Sequence, residues 1–321
     1  MSAAAPAAPG AGLRLARGLW TLFRLIPVLS WTGGAVAVGG AAAVAAVGWR
    51  PGLLLDLALV AAGAAALQGL VAHGVNDLTD WRSGTDPLSP GLLSGGSRVI
   101  PRRLLSEGEV SGAVWLGLAV GLASTALLYV RHGPPVLLVA LVGVWSTVSY
   151  TVLPLRLAYR PFVGELAAGW PAVVAIIAGT VAVLAGWPGP AVWAAATVQA
   201  TISVAWVMQH HLPDIAADLA ASPVKLTTPA YFALRWGPAA ARLVPAGYHL
   251  AAALESAALA LFLHPVFAAS ALLAVAGVRE AWRTDVTSVP DITRRQLRMI
   301  GLCGLSALVL AAAFLTGSLG G

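Results

Sequence analysis

The first candidate site is a stretch of twelve residues, 75–86, that ends a long apolar run and carries three carboxylates. Asn76 and Asp80 are four residues apart, so their side chains share one face of a helix. Asp77 lies three residues before Asp80 and is also close, and Asp86 ends the stretch. Oxygen ligands at this spacing suit Mg²⁺, which keeps several waters and bridges to phosphate oxygens.

A second acidic stretch ends a later apolar run. Asp214 and Asp218 repeat the four-residue spacing, and His210 extends their stripe by one more turn. His211 follows directly. A single aspartate here would be read as a solvated helix end, but recurrence at two positions favours a shared metal and diphosphate site. A diphosphate also needs cations, and the loops after the two stretches contain Arg98, Arg102, Arg103, Lys225 and Arg235.

The composition indicates an all-α integral membrane protein. The chain has 321 residues, of which 59% are hydrophobic and 10% charged, with a mean hydropathy of +0.83. Soluble domains carry about 25% charged residues. The apolar runs are continuous, which predicts membrane-spanning helices rather than barrel strands. The net charge of +6 reflects loop arginines that set topology and does not indicate nucleic-acid binding.

We predict nine transmembrane helices of about 20 residues each. With the N-terminus in the cytoplasm, 17 of the 19 basic residues fall in cytoplasmic segments, as the positive-inside rule requires. Both acidic stretches then end even-numbered helices and meet on the cytoplasmic side. Residues 1–24 are predicted to be a disordered cytoplasmic tail, and 25–318 a single domain. The predicted spans are 25–48, 53–75, 111–130, 135–153, 164–186, 189–211, 239–263, 265–282 and 297–317.

Four stretches, in this order, carry a resemblance. They are Asn76-Asp77-x-x-Asp80 with Asp86, Ser94-Gly95-Gly96-Ser97-Arg98, the segment 150–160 followed by Gly164-Glu165, and Asp214-x-x-x-Asp218 with Lys225. Together they resemble the UbiA family of membrane prenyltransferases in its menaquinone-type form, over most of the chain. The departures are His210 and His211, where the family often has asparagine or aspartate, and a displaced Lys225.

The resemblance implies a nine-helix bundle in a bacterial inner membrane, around a large cavity that opens to the cytoplasm and laterally to lipid. It also implies that Mg²⁺ ions hold the diphosphate of an isoprenoid donor. The implied metal ligands are Asn76, Asp80 and Asp86 for one ion and Asp214 and Asp218 for the other. The implied diphosphate-binding residues are Arg98, Lys225 and Arg156.

The predicted reaction transfers an isoprenoid group from a prenyl diphosphate to a lipophilic acceptor that resembles an aromatic quinone precursor. Tyr150 is predicted to stabilise the allylic cation by its ring face, and the histidines to form hydrogen bonds or act as a base. The predicted catalytic residues are Asp80, Asp214, Tyr150, His210 and His211. Two alternatives stay open, a UbiA-type terpene cyclase that needs no acceptor and a non-enzymatic transporter. No motif specifies the acceptor, the prenyl chain length or the oligomeric state.

Overall fold

The structure is a computed structural model that describes residues 10–90 and 96–319. These residues form helices joined by turns, with no strand in either range. The helices are α1 (Ala11–Phe23), α2 (25–47), α3 (Pro51–Ser83), α4 (Thr85–Leu88), α5 (Glu107–His132), α6 (Pro135–Thr151), α7 (Glu165–Leu184), α8 (Pro190–His210), α9 (Ile215–Ala220), α10 (Thr228–Trp236), α11 (Leu243–Phe262), α12 (Phe267–Trp282) and α13 (Val289–Leu315).

Within the described ranges, six helical segments are long and apolar enough to cross a membrane by length and composition. A seventh segment, α6, is apolar but shorter. Helices occupy every predicted position, including α11 and α12, which confirms the all-α membrane class. The number of nine spans stays a prediction. The six segments are Ala11–Val47, Pro51–Ser83, Glu107–His132, Glu165–Leu184, Pro190–Ala220 and Val289–Leu315.

The predicted disordered tail is wrong for residues 11–23, which form α1. This helix packs on a loop more than 80 residues away, a contact that the composition of the segment does not reveal. Arg14 pairs with Glu109 at 2.5 Å. A Cβ at Gly18 would lie 2.5 Å from Leu105 Cδ2, so only glycine allows this approach. Residues 1–9 lie outside the described residues.

Most consecutive long helices pack side by side from α5 to α13, and α2 packs against α7 and α13. The largest core lies among α2, α7, α8, α11, α12 and α13 and is rich in alanine and valine. Small side chains let helix backbones approach closely, which is how membrane helices gain packing contacts. The remaining helices, α3, α5 and α6, complete the bundle and enclose a cavity against α7.

Three helices that line this cavity contain a π-helical turn, at Leu29–Gly33 in α2, Leu67–Ala72 in α3 and Glu165–Gly169 in α7. Such turns place i→i+5 hydrogen bonds inside an α-helix and often occur at functional sites. Two of them are joined here, because the Thr32 hydroxyl donates to Gln68 Oε1 at 2.6 Å. The turns therefore connect α2 and α3 at the cavity wall.

Candidate active site

A cavity of about 330 Å³ lies among α2, α3, α5, α6, α7 and α8. Most of its wall is apolar, and its charged side chains and histidines lie together at one end. A largely apolar pocket with a few convergent polar groups is the usual form of a ligand site. The polar lining includes Arg24, Asn76, Asp80, Tyr150, His210, His211, Asp214, Asp218 and Lys225.

The first acidic stretch is held by the end of α3. Asn76 and Asp80 share a helix face as predicted, and Asn76 Nδ2 donates to Asp80 Oδ2 at 2.8 Å. The helix ends at Gly84, whose φ of 83° is left-handed and favours glycine. The chain then turns directly into α4, which carries Asp86. This break keeps Asp86 close to the acids of α3 rather than one turn farther along the same helix.

The second acidic stretch is not one continuous helix. A 3-10 turn, Leu212–Asp214, separates α8 from α9, and Pro213 within it lacks the N–H of a regular helix. His210, Asp214 and Asp218 therefore do not lie on one face of a single helix, and the prediction that His210 extends the stripe of the two aspartates is wrong. All three side chains nevertheless line the cavity.

Lys225 joins the two acidic stretches. Its Nζ donates to both carboxylate oxygens of Asp80, at 2.8 and 2.9 Å, and lies 4.0 Å from Asp218 Oδ1. Its backbone N–H donates to the Asp218 carbonyl at 3.0 Å, which fixes the loop after α9. Burial lowers the pKa of Lys225, but the charges of Asp80 and Asp218 outweigh it and leave the pKa raised. The buried ammonium is therefore charged.

Asp86 is almost fully buried and, unlike the other predicted metal ligands, does not line the cavity. Both of its carboxylate oxygens are without a hydrogen-bond partner in the described part of the chain. Burial, reinforced by the charges of Asp77 and Asp80, raises the pKa of Asp86 to about 8. A buried carboxyl that resists ionisation is a site where a cation would be strongly favoured.

The glycine-rich stretch supports this carboxyl from the other side. Gly96 has a φ of 71°, and a Cβ there would lie 2.7 Å from Asp86 Oδ1 and 2.9 Å from Asp77 Oδ1. Ser97 donates to Asp77 through its backbone N–H at 3.1 Å and through its hydroxyl. Asp77 thus holds the loop, while Asp86 has no hydrogen-bond partner among residues 10–90 and 96–319. Ser94 and Gly95 lie outside the described residues.

The donor set fits Mg²⁺. Asp218 Oδ1, like the Asp86 oxygens, is buried without a hydrogen bond in the described ranges. No three histidine, cysteine or carboxylate side chains there are gathered as a ready-made metal cage. Mg²⁺ does not need such a cage, because it binds one or two carboxylates and completes its shell with waters and substrate phosphates. The two acidic stretches supply carboxylates for that arrangement.

Two predicted diphosphate-binding residues do not line the cavity. Arg98 donates to the Ser89 carbonyl and, at 3.2 Å, to the Ser89 hydroxyl, which in turn donates to Asp214. The guanidinium of Arg156 lies 5.3 Å from the centre of the Tyr159 ring. Arg98 therefore supports the second acidic stretch through Ser89. The contacts of Arg98 and Arg156 with a diphosphate stay predictions.

Both histidines line the cavity, and each has a defined contact. His211 Nε2 lies 3.2 Å from the Tyr150 hydroxyl. His210 is held between Gln296, at 3.1 Å from its Nδ1, and Arg24, at 3.5 Å from its Nε2. Arg24 is the last residue of the predicted cytoplasmic tail, 1–24. The fold brings it into the cavity, because the chain breaks at Arg24, with a φ of 53°, between α1 and α2.

The structure combines helices able to cross a membrane with an apolar cavity that has buried carboxylates and Lys225 at one end. The chain belongs to the UbiA prenyltransferase family, whose sequence profile matches residues 34–300. It is therefore a prenyltransferase by family. The matched range includes both acidic stretches and Lys225, and it confirms the resemblance; the menaquinone-type branch stays a prediction.

Solved UbiA homologues share the fold. The apo structure of a homologue from Aeropyrum pernix K1 covers 89% of this chain and 98% of its own, at 17% identity and a TM-score of 0.57. The match to a homologue from Archaeoglobus fulgidus bound to DMAPP and Mg²⁺ covers 93% of this chain and 99% of the homologue, at 16% identity and a TM-score of 0.57. The match to the Archaeoglobus fulgidus homologue bound to GPP and Mg²⁺ covers 96% of this chain and 100% of the homologue, at 18% identity and a TM-score of 0.53. A comparison with curated protein sequences gave no match.

Proposed function

We propose that this protein transfers an isoprenoid group from a prenyl diphosphate to a lipophilic aromatic acceptor, as in quinone biosynthesis. The site would face the cytoplasm across a bacterial inner membrane. The observation that carries the proposal is the convergence of Asp80, Asp218 and Lys225 at the polar end of an apolar cavity. The Archaeoglobus homologues bound to GPP or DMAPP with Mg²⁺ support the same donor chemistry.

The two acidic stretches would hold Mg²⁺ together with the donor's diphosphate. Asn76, Asp80 and Asp86 would hold one ion, and Asp214 and Asp218 the other. When bound, Mg²⁺ neutralises the diphosphate and so stabilises it as a leaving group. Lys225 is placed to contribute a further positive charge, because its ammonium already lies between Asp80 and Asp218. Arg98 would keep Asp214 in place through Ser89.

The reaction would begin with rupture of the donor's carbon–oxygen bond, with the electron pair leaving on the diphosphate. The allylic cation that remains would lie in the apolar cavity, which excludes water, with the Tyr150 ring face as its stabilising partner. A ring carbon of the acceptor then bonds to the cation. The ring proton released in that step passes to His211, whose Nε2 lies 3.2 Å from the Tyr150 hydroxyl.

The His211→Phe variant tests the proposed base. We expect the rate of prenyl transfer to fall about 100-fold, the lower range for loss of a general base. Binding of the prenyl diphosphate should change little, because His211 would act only after ionisation. Transfer product and donor affinity are measured separately in the purified protein. His211→Gln, which keeps a polar contact to Tyr150, should also be slow; wild-type transfer in both variants would remove His211 from the mechanism.

The reaction itself is tested with purified protein in lipid nanodiscs. We expect diphosphate release only when a prenyl diphosphate, Mg²⁺ and a hydroxylated benzene or naphthalene acceptor are all present, with a prenylated ring as product. A chelator should abolish release, and added Mg²⁺ should restore it. A terpene hydrocarbon or alcohol formed without acceptor would instead support a cyclase. No release with any donor and acceptor would contradict enzymatic function and leave the transporter alternative.

A further inference from the structure

Glu165 is a carboxylate of the cavity wall that belongs to neither acidic stretch. It is the first residue of the π-helical turn in α7 and is 6% exposed. Gly164, directly before it, packs closely on the 3-10 turn Leu157–Tyr159, because a Cβ there would lie 2.9 Å from the Leu157 carbonyl oxygen. The glycine therefore lets α7 begin against this turn, which fixes where Glu165 enters the cavity wall.

Two hydroxyl groups from separate helices contact this carboxylate. The Thr228 hydroxyl of α10 donates to Glu165 Oε1, and the Tyr248 hydroxyl of α11 donates to the same oxygen at 3.2 Å. The Thr228 oxygen itself accepts the Phe162 backbone N–H at 2.7 Å. Because an N–H can only donate, the hydroxyl proton of Thr228 is left for Glu165. Oε1 is therefore a hydrogen-bond acceptor with two donors.

The two hydroxyl contacts of Glu165 are neutral, whereas Asp80 and Asp218 share the ammonium of Lys225. Burying a carboxylate is unfavourable unless hydrogen bonds satisfy it. A carboxylate offers about four acceptor positions on its two oxygens, and both hydroxyls contact Oε1. Oε2 receives neither of them, so it is the oxygen that can accept a hydrogen bond from a molecule in the cavity.

Glu165 lies near the residues to which the proposed mechanism assigns the reaction. The π-helical turn that it begins packs against α6, the helix of Tyr150. An electrostatic interaction links the Glu165 carboxylate to the Tyr150 hydroxyl, and that hydroxyl lies 3.2 Å from His211 Nε2. All three side chains line the cavity. An aromatic ring held by Glu165 would therefore lie close to both Tyr150 and His211.

We propose that Glu165 binds a hydroxyl group on the ring of the acceptor and makes the enzyme selective for acceptors that carry one. The inference rests on the proposed function and specifies its acceptor. The ring hydroxyl donates to Oε2, while Thr228 and Tyr248 hold Oε1 in place. An acceptor with an ether at that position has no proton to donate and leaves Oε2 unpaired. A site built to hydrogen-bond a substrate hydroxyl strongly rejects an analogue that lacks it.

The test compares 1-naphthol with 1-methoxynaphthalene as acceptors for the purified protein in nanodiscs, with one prenyl diphosphate and Mg²⁺. We expect the wild type to prefer the naphthol by at least about 100-fold in kcat/KM. In Glu165→Gln the two hydroxyls hold the amide oxygen, so the amide nitrogen faces the acceptor and can donate to an ether. The preference should then fall at least about 10-fold. Affinity for the prenyl diphosphate should not change.

Glu255→Gln is the matched control, because Glu255 is a half-buried carboxylate of α11 that accepts the Thr201 hydroxyl at 3.3 Å and does not line the cavity. Its preference between the two acceptors should equal that of the wild type. If Glu165→Gln slows transfer to both acceptors equally, Glu165 supports the fold or the allylic cation instead, and the proposal is overturned while prenyl transfer stands. If the wild type prenylates no aromatic acceptor with any prenyl diphosphate, the proposed function itself is contradicted.

Discussion

The Asp80→Asn variant is expected to lose about 10²–10³-fold in kcat, the range found when one stabilising group is removed from a transition state. Asp80 contacts both Asn76 and Lys225 and lines the cavity. The amide keeps the shape of the side chain but removes the charge that would bind Mg²⁺. Prenyl transfer and the Mg²⁺ dependence of donor binding are the two measurements, and both should fall.

The same substitution leaves the buried ammonium of Lys225 with a single distant carboxylate, so instability must be separated from loss of function. The double variant Asp80→Asn/Lys225→Met removes both members of the pair and should recover stability without recovering transfer. Asp285→Asn is a control, because Asp285 is exposed in the turn between α12 and α13; such surface changes cost little. Wild-type turnover in Asp80→Asn would exclude Asp80 as a site residue.

The Lys225→Met variant is expected to lower kcat/KM about 100-fold, because a charge clamp on the departing diphosphate is lost. It should also change the response of the protein to Mg²⁺. Without the ammonium, the carboxylates of Asp80 and Asp218 face each other without their shared cation. Binding of Mg²⁺ to the folded state then adds stability by mass action. The Tm should therefore rise more steeply with Mg²⁺ concentration in this variant than in the wild type.

Arg283→Met serves as the control for charge alone, since Arg283 is exposed in the turn after α12. Its Tm and kcat/KM should follow the wild type at every Mg²⁺ concentration. If Lys225→Met shows full kcat/KM, the lysine is only a structural partner of Asp80. If its Tm does not respond to Mg²⁺, the neighbouring carboxylates do not bind the ion.

The sequence predicted those parts of the site that depend on local spacing and on the side of the membrane. Asn76 and Asp80 share a helix face, and topology alone brings Asp214 and Asp218 to the same side. Contacts between distant segments were beyond such reasoning. Arg24 enters the cavity only because the chain breaks between α1 and α2, and Arg98 reaches Asp214 only through Ser89.

The same limit explains the two errors in the fold. The segment 11–23 is rich in leucine, arginine and alanine, which favour a helix, but the loop far along the chain on which α1 packs cannot be recognised from the segment itself. The stripe predicted from His210 to Asp218 assumed one helix, whereas the chain forms a 3-10 turn at Leu212–Asp214. Pro213 was visible, but a proline at the start of a turn is compatible with either form.

The π-helical turn at Leu67–Ala72 decides which way the two halves of α3 face. In a regular helix each four-residue step rotates a side chain by about 40°, so five steps would rotate it by roughly 200°. A wider turn holds more residues per revolution and cancels part of that rotation. The π-helical turn therefore compensates for part of the rotation, so that residues before and after it on α3 line the same cavity. Every fourth residue of α3 from Val60 to Asp80 lines the cavity: Val60, Ala64, Gln68, Ala72, Asn76 and Asp80.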